Sequence, residues 1–161
     1  MRNWFAITLA GLAVLVTGAS VAQALPTKPQ LTVEVAEKMA IACSKYADGK
    51  GWKLNIAVLD AGGGLLYFRR DPDSYRGSVD ISINKAWTAT QFGFPSRLFG
   101  EVIIKAANGI QHTPRLIIFP GGLPIKAGDA LIGGIGVSGA TGDQDEECAQ
   151  VGLDAAKGDL K

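Results

Sequence analysis

His112 is the only histidine in the chain, and Cys43 and Cys148 are its only cysteines. Zinc takes three or four His, Cys or acidic ligands, so this inventory leaves little room for such a site. A Ser-His-Asp device would ask one imidazole to find both a nucleophile and an orienting carboxylate. A lone His does suffice as a single axial ligand to a haem iron. No C-x-x-C-H occurs, which excludes covalent attachment of a c-type haem. The competing reading of His112 is a solvent-exposed loop histidine.

Lys85 follows Asp80, Ser82 and Asn84 in an otherwise apolar stretch. Its ammonium suits an acidic group or a ligand carboxylate, or else it snorkels on a solvated helix face. Asp60 stands just before Gly62, where a turn-forming Asp is the ordinary reading. Arg69, Arg70 and Arg76 lie among Tyr67, Phe68 and Tyr75. Guanidinium groups beside aromatic rings suit a flat anionic ligand, held by charge at its rim and stacking on its face. Asp71 and Asp73 make a balanced surface patch the alternative.

The run Gly134-Ile-Gly136-Val-Ser-Gly139 spells G-x-G-x-x-G, yet the context is wrong for a dinucleotide. That fingerprint follows a strand and opens a helix whose N-terminus receives pyrophosphate. Here the glycines sit inside a strand-like run, and the next helix opens with Asp143, Asp145, Glu146 and Glu147, which would repel phosphate. Gly133, Gly134 and Gly136 instead leave a smooth surface for a flat ligand or a neighbouring backbone.

These residues belong to a chain of 161 residues, 47% hydrophobic and 19% charged, which makes one domain rather than two. Sixteen basic against 15 acidic residues argue against nucleic acid as a partner. Arg2, the uncharged run Trp4 to Val16 and the Ala22-Gln23-Ala24 site read as an export signal over residues 1–24, cleaved before Leu25. The apolar run is too short for a spanning helix, so no stable membrane anchor is expected. Its removal takes one Arg and leaves a neutral mature domain over residues 25–161, periplasmic or secreted. In an oxidising compartment Cys43 and Cys148 are either a disulfide, closing a loop of about 100 residues, or two small buried hydrophobes.

The periodicity predicts a helix from Thr32 as N-cap to Asp48, then strands Trp52–Asp60 and Leu65–Arg69 joined by a glycine turn. A helix follows from Arg76 to Phe92, with Val79, Ile83, Ala86, Trp87 and Thr90 on one face, and a shorter one from Ser96 to Lys105. Strands are expected at Arg115–Phe119, Leu123–Ala127 and Ala130–Ser138, and a last helix at Gln144–Ala156 with Asp143 as N-cap and Glu146 closing a capping box. Hairpin connections imply an antiparallel sheet covered by helices: an α+β domain.

From Ile56 to Asp154 the motifs resemble the GlcG/HbpS-like family, which includes the PduO C-terminal domain. The matching pieces are Val58-Leu-Asp60-Ala-Gly62-Gly63, Leu65-Leu-Tyr-Phe68 and Ser82-Ile-Asn-Lys85-Ala86. Phe119-Pro-Gly121-Gly122-Leu-Pro124, Ile132-Gly133-Gly-Ile-Gly136-Val-Ser138-Gly139 and Gln144-Asp145-Glu146 complete the set. The resemblance implies a profilin-like three-layer sandwich, a five-stranded antiparallel sheet with the N- and C-terminal helices packed on it, which would bring the cysteine-bearing helices together. It further implies non-covalent haem or related tetrapyrrole binding, in some members haem breakdown, and homo-oligomeric assembly. His112 is then the candidate iron ligand, with Tyr67, Tyr75 and Met39 as substitutes. Lys85, Arg69 and Arg70 are candidates for the propionates, and Tyr67, Gly121 and Gly122 for the pocket. Uptake, storage or sensing of haem is the leading expectation. A haem-degrading or small-acid-converting enzyme using Lys85 or Asp60 is the second. A non-catalytic partner of an exported dehydrogenase or signalling system is the third.

Overall fold

The computed structural model describes residues 25 and 27–161. The export signal expected over residues 1–24 therefore lies outside the described residues. Helix α1 (Val33–Lys50) starts at Thr32, whose hydroxyl accepts from the Val35 N–H, and stops at Gly51 in the left-handed conformation. Strands β1 (Asn55–Asp60) and β2 (Leu65–Arg70) form the expected hairpin. Helix α2 spans Ser78–Phe92. The stretch expected as a second short helix is a π-helical turn, Phe99–Ile103, running into the single turn α3 (Ile104–Ala106). Strands β3 (Gly122–Ala127) and β4 (Ala130–Ser138) precede α4 (Gly142–Ala156).

The sheet has four strands in the order β2-β1-β4-β3, all antiparallel, and not five. The strand expected at Arg115–Phe119 does not form, because the side chains of Thr88 on α2 and Ser96 in the turn after it take up its backbone groups. Ile117 N–H donates to Thr88 Oγ1 at 2.9 Å and Phe119 C=O accepts from Ser96 Oγ at 2.8 Å. At α4 the N-cap is Thr141 rather than Asp143, and Thr141 and Gln144 close the capping box two residues earlier than expected. Thr offers the same cap chemistry as Asp, so the choice falls to where β4 releases the chain.

Three layers result. Ile56, Val58, Ile135 and Val137 face α1 and α4, packing on Met39, Ala40, Cys43, Cys148 and Ala149. Ala57 and Leu59 face α2, with Ala86 between Phe68, Ile83 and Trp87. Between α1 and α4 the Cys43–Cys148 disulfide is formed, with Cα atoms 4.9 Å apart.

The glycines of β4 explain how α2 sits. A Cβ on Gly136 would collide with Ser82 O, and one on Gly134 would lie 2.6 Å from Ala86 O. The helix backbone thus rests directly on the strand, so a neighbouring backbone, not a flat ligand, occupies that smooth surface. It also shifts the buried face of α2 to Ser82, Lys85, Ala86 and Ala89, leaving Val79, Ile83 and Trp87 half-buried at its flanks. Gly136→Ala is expected to cost about 3 kcal/mol through overpacking. Gly77→Ala, with nothing within 4 Å of the new methyl, is expected to stay within about 0.5 kcal/mol. Urea unfolding of both variants measures the difference.

Candidate functional site

Lys85 is fully buried and is the largest side chain of the fully enclosed set. The solvated-face reading of Lys85 is therefore overturned: α2 lies so close to the sheet that its long side chain has only the interior to enter. Its Nζ donates to Asp145 Oδ2 at 2.7 Å and to Val137 O at 2.9 Å, and sits 5.1 Å from the Phe119 ring centroid. Asp145 also accepts from Ala140 N–H at 3.0 Å. Burial pushes the Lys85 ammonium below its ordinary range and the Asp145 carboxyl above its own, and each charge partly restores the other. Asp145 was legible only as one of several first-turn carboxylates. The signal that distinguishes it is its place on the apolar stripe Asp145, Cys148, Ala149, Gly152.

The loop over this pair needs its glycines. At Gly121, where φ is 118°, a Cβ would come 2.6 Å from Lys85 Nζ, and at Gly122 one would collide with Lys85 O. Gly122 N–H donates to Ser96 Oγ at 2.9 Å, and Gly121 N–H to Glu146 Oε2 at 3.3 Å. Arg97 holds Glu146 at 2.6 Å, Asp143 at 2.8 Å and Glu101 at 3.1 Å, fastening the π-helical turn to the start of α4. Four separated motifs, around Lys85, Gly121, Ser138 and Asp145, thus converge on one buried ion pair. The half-exposed Phe119 ring is displayed above it.

His112 is exposed, on a single 3-10 turn, Ile110–His112. The loop behind it is held on α2 by Arg115, whose Nε donates to Asn84 Oδ1 at 3.2 Å while its guanidinium lies 4.9 Å from the Trp87 ring centroid. Arg115 takes a positive φ of 68° to do so, a conformation that costs a non-glycine residue on the order of 1 kcal/mol. Trp87, Phe92 and Phe99 form an edge-to-face row, and Phe92 and Phe94 stay exposed beside it. Sequence reasoning passed over Arg115 and Trp87. Their pairing depends on a loop conformation that no spacing rule encodes.

The remaining candidates lie elsewhere. Tyr67 and Arg69 face α1, bonding Glu37 at 3.4 Å and Ser44 at 2.8 Å. Arg69 and Arg70 line a cleft of only about 70 Å³ with Ser44, Asp48 and Trp52, well under the roughly 300–1,000 Å³ of small-molecule pockets. Met39 is wholly inside the core and Tyr75 is exposed. Asp60 accepts from the Gly62 and Gly64 N–H groups at 2.8 and 2.9 Å, the work of a turn residue. The structure brings Lys85, Gly121 and Gly122 together. It puts His112 with Arg115 on the α2 side, and Tyr67 and Arg69 on the α1 side.

The result is a three-layer α+β domain built around a buried Lys–Asp pair beneath a Pro-Gly-Gly loop. The family described as "Haem degrading protein HbpS-like" matches residues 31–154, and the chain belongs to it. Protein GlcG of Escherichia coli (strain K12) is 32% identical over 114 residues, covering 71% of this chain and 85% of that protein. The crystal structure of a double mutant of Streptomyces reticuli HbpS superposes with a TM-score of 0.77 at 32% identity, covering 84% of this chain and 95% of that one. The crystal structure of a PduOC:heme complex does so with a TM-score of 0.74 at 25% identity, covering 79% and 95%.

Proposed function

We propose that the protein is an exported, non-covalent haem-binding protein serving uptake, storage or sensing in the periplasm or outside the cell. The observation that carries this reading is the likeness over most of the chain to a domain crystallised with heme. The donor set fits: an exposed imidazole, a guanidinium three residues further on that is anchored to α2, and the exposed rings of Phe92 and Phe94 at the end of that helix. His112 would ligate the iron, and Arg115 would meet a propionate. Lys85, Gly121 and Gly122 act at one remove, by holding the Phe119 loop. The disulfide and the absence, among the described residues, of a helix long and apolar enough to cross a membrane accord with export.

Hemin titration of the purified protein is expected to produce a Soret shift saturating near one ring per chain. His112→Ala is expected to change the iron spectrum and weaken binding by at least about tenfold, roughly the loss of one strong directed contact. No Soret shift in the parent protein would end the haem reading, and an unaltered spectrum in the variant would end the ligand assignment. The family's description as haem degrading favours one second reading, an enzyme. Formation of a biliverdin-like product with a reductant is the measurement that separates it from simple binding.

A further inference from the structure

Three asparagines fall among the described residues, and their surroundings differ. Asn55 is buried in the central strand β1, its Nδ2 donating to Ser74 Oγ at 3.1 Å, and Ile56 follows it. Asn84 lies on α2, its Oδ1 accepting from Arg115 Nε at 3.2 Å, and Lys85 follows it. Asn108 is exposed between α3 and the Ile110–His112 turn, and Gly109 follows it. The side chains that hydrogen-bond along this loop are those of Gln111, His112 and Arg115, so the Asn108 amide is unengaged among the described residues.

Gly109 has a φ of 93°, and a Cβ on it would meet nothing within 4 Å. Its N–H bonds no acceptor among the described residues, whereas the N–H groups after Asn55 and Asn84 are engaged in the sheet and in α2. Ala107 N–H donates to Ile103 O at 2.8 Å, Ile110 N–H to Ala107 O at 3.1 Å, and His112 N–H to Gly109 O at 3.0 Å. The backbone bonds of residues 107–112 thus reach no further than Ile103 and Thr113. Neither the sheet nor α2 holds the main chain here, so it rotates at little cost.

We infer that Asn108–Gly109 is a hydrolytic modification site, converting slowly to isoaspartate and, in smaller share, to aspartate. A short Asn side chain reaches the backbone beside it, and no side chain on Gly109 screens the nitrogen. The Gly109 amide nitrogen, having lost its proton to water, attacks Asn108 Cγ. The new N–Cγ bond closes a five-membered succinimide, and the Cγ–Nδ2 bond breaks to release ammonia. Water then opens the ring. Entry at Cγ gives aspartate, and entry at the main-chain carbonyl leaves the chain running through the side chain. Net, an amide and one water become a carboxylate and ammonium, with no oxidant or reductant. Isoaspartate adds one main-chain carbon between residues 108 and 109, inside the turn that Ile110 closes on Ala107. The Gly109 carbonyl that holds the His112 N–H moves with it, and an exposed carboxylate replaces a neutral amide. The modification thus remodels the seat of His112, and it stands whether or not that imidazole ligates iron.

Incubating the folded protein at mildly alkaline pH, followed by tryptic mapping in a mass spectrometer, tests the site. The fragment Ala106–Arg115 carries Asn108 and His112 together. It is expected to gain about 1 Da, as NH2 gives way to OH, and to elute as two products. The change is expected at least about tenfold faster than loss of the Asn84 amide or isomerisation at Asp48–Gly49, whose glycine N–H lies inside α1. Asn108→Gln demands a six-membered ring and is expected to keep its mass over the same interval. His112 is the only imidazole, so its ring C–H signals report the loop by NMR. They are expected to split in the aged parent, the second set growing with isoaspartate, and to stay single in Asn108→Gln. An unchanged fragment mass, or equal loss at Asn84, would overturn the site. Isoaspartate that leaves the imidazole signals single, or a second set that also grows in Asn108→Gln, would overturn its hold on His112.

Discussion

Removing the Cys43–Cys148 bridge, as Cys43→Ser with Cys148→Ala or by reduction, is expected to lower unfolding stability by about 4–5 kcal/mol. The bridge closes a separation of 105 residues, and in the chain-entropy model a loop of about 100 residues constrains the unfolded chain by roughly 4.7 kcal/mol. Both sulfurs are fully buried between α1 and α4 in the main core, so reduction leaves two small apolar groups and little strain. The expected loss is of the same order as the roughly 5–15 kcal/mol that holds a typical domain together. The check is urea unfolding with and without a thiol reductant, the double variant serving as the reductant-insensitive control. Equal midpoints would show that the unfolded chain is already compact between those positions.

Lys85→Ala or Asp145→Ala is expected to cost about 3–5 kcal/mol, since each leaves the other charge buried without its partner. Lys85→Met combined with Asp145→Leu is expected to recover at least half of that loss, because the desolvation of two ions disappears with their attraction. Recovery stays incomplete: Val137 O and Ala140 N–H, which Lys85 and Asp145 now satisfy, are left without partners. The pH dependence carries a sign. Asp145 is raised above its ordinary 3.8, so above that pH the folded state binds more protons than the unfolded. The stability that Asp145 contributes therefore falls as pH rises toward its folded value. Lys85 is lowered from its ordinary 10.5, so its contribution rises with pH between its folded value and that limit. Comparing the parent protein with Asp145→Asn as pH rises from the ordinary carboxylate value of 3.8 should show the parent's advantage shrinking.

Local rules carried much of the fold because local physics decides it. Thr32 and Gly51 bracket α1 by cap chemistry, and the glycines after Asp60 make the β1–β2 turn with that carboxylate as acceptor. Where a rule met a competitor, the structure departed from it. The segment Arg115 to Phe119 has strand composition, yet Thr88 and Ser96 offered its backbone nearer partners. The candidate site was less legible, since Lys85 reads the same whether it ends in water or against a carboxylate sixty residues away.

The class of the molecule was readable along the chain: helix and strand periods, antiparallel hairpins, a single imidazole and one pair of thiols. Those properties belong to short windows or to counts, and folding cannot alter them. Packing across the layers settled what no window contains. The glycines of β4 seat a helix, Lys85 meets Asp145, and His112 and Arg69 stand on opposite sides of the sheet. Each of these depends on how closely two distant segments approach, and that distance is set by backbone packing between sheet and helices.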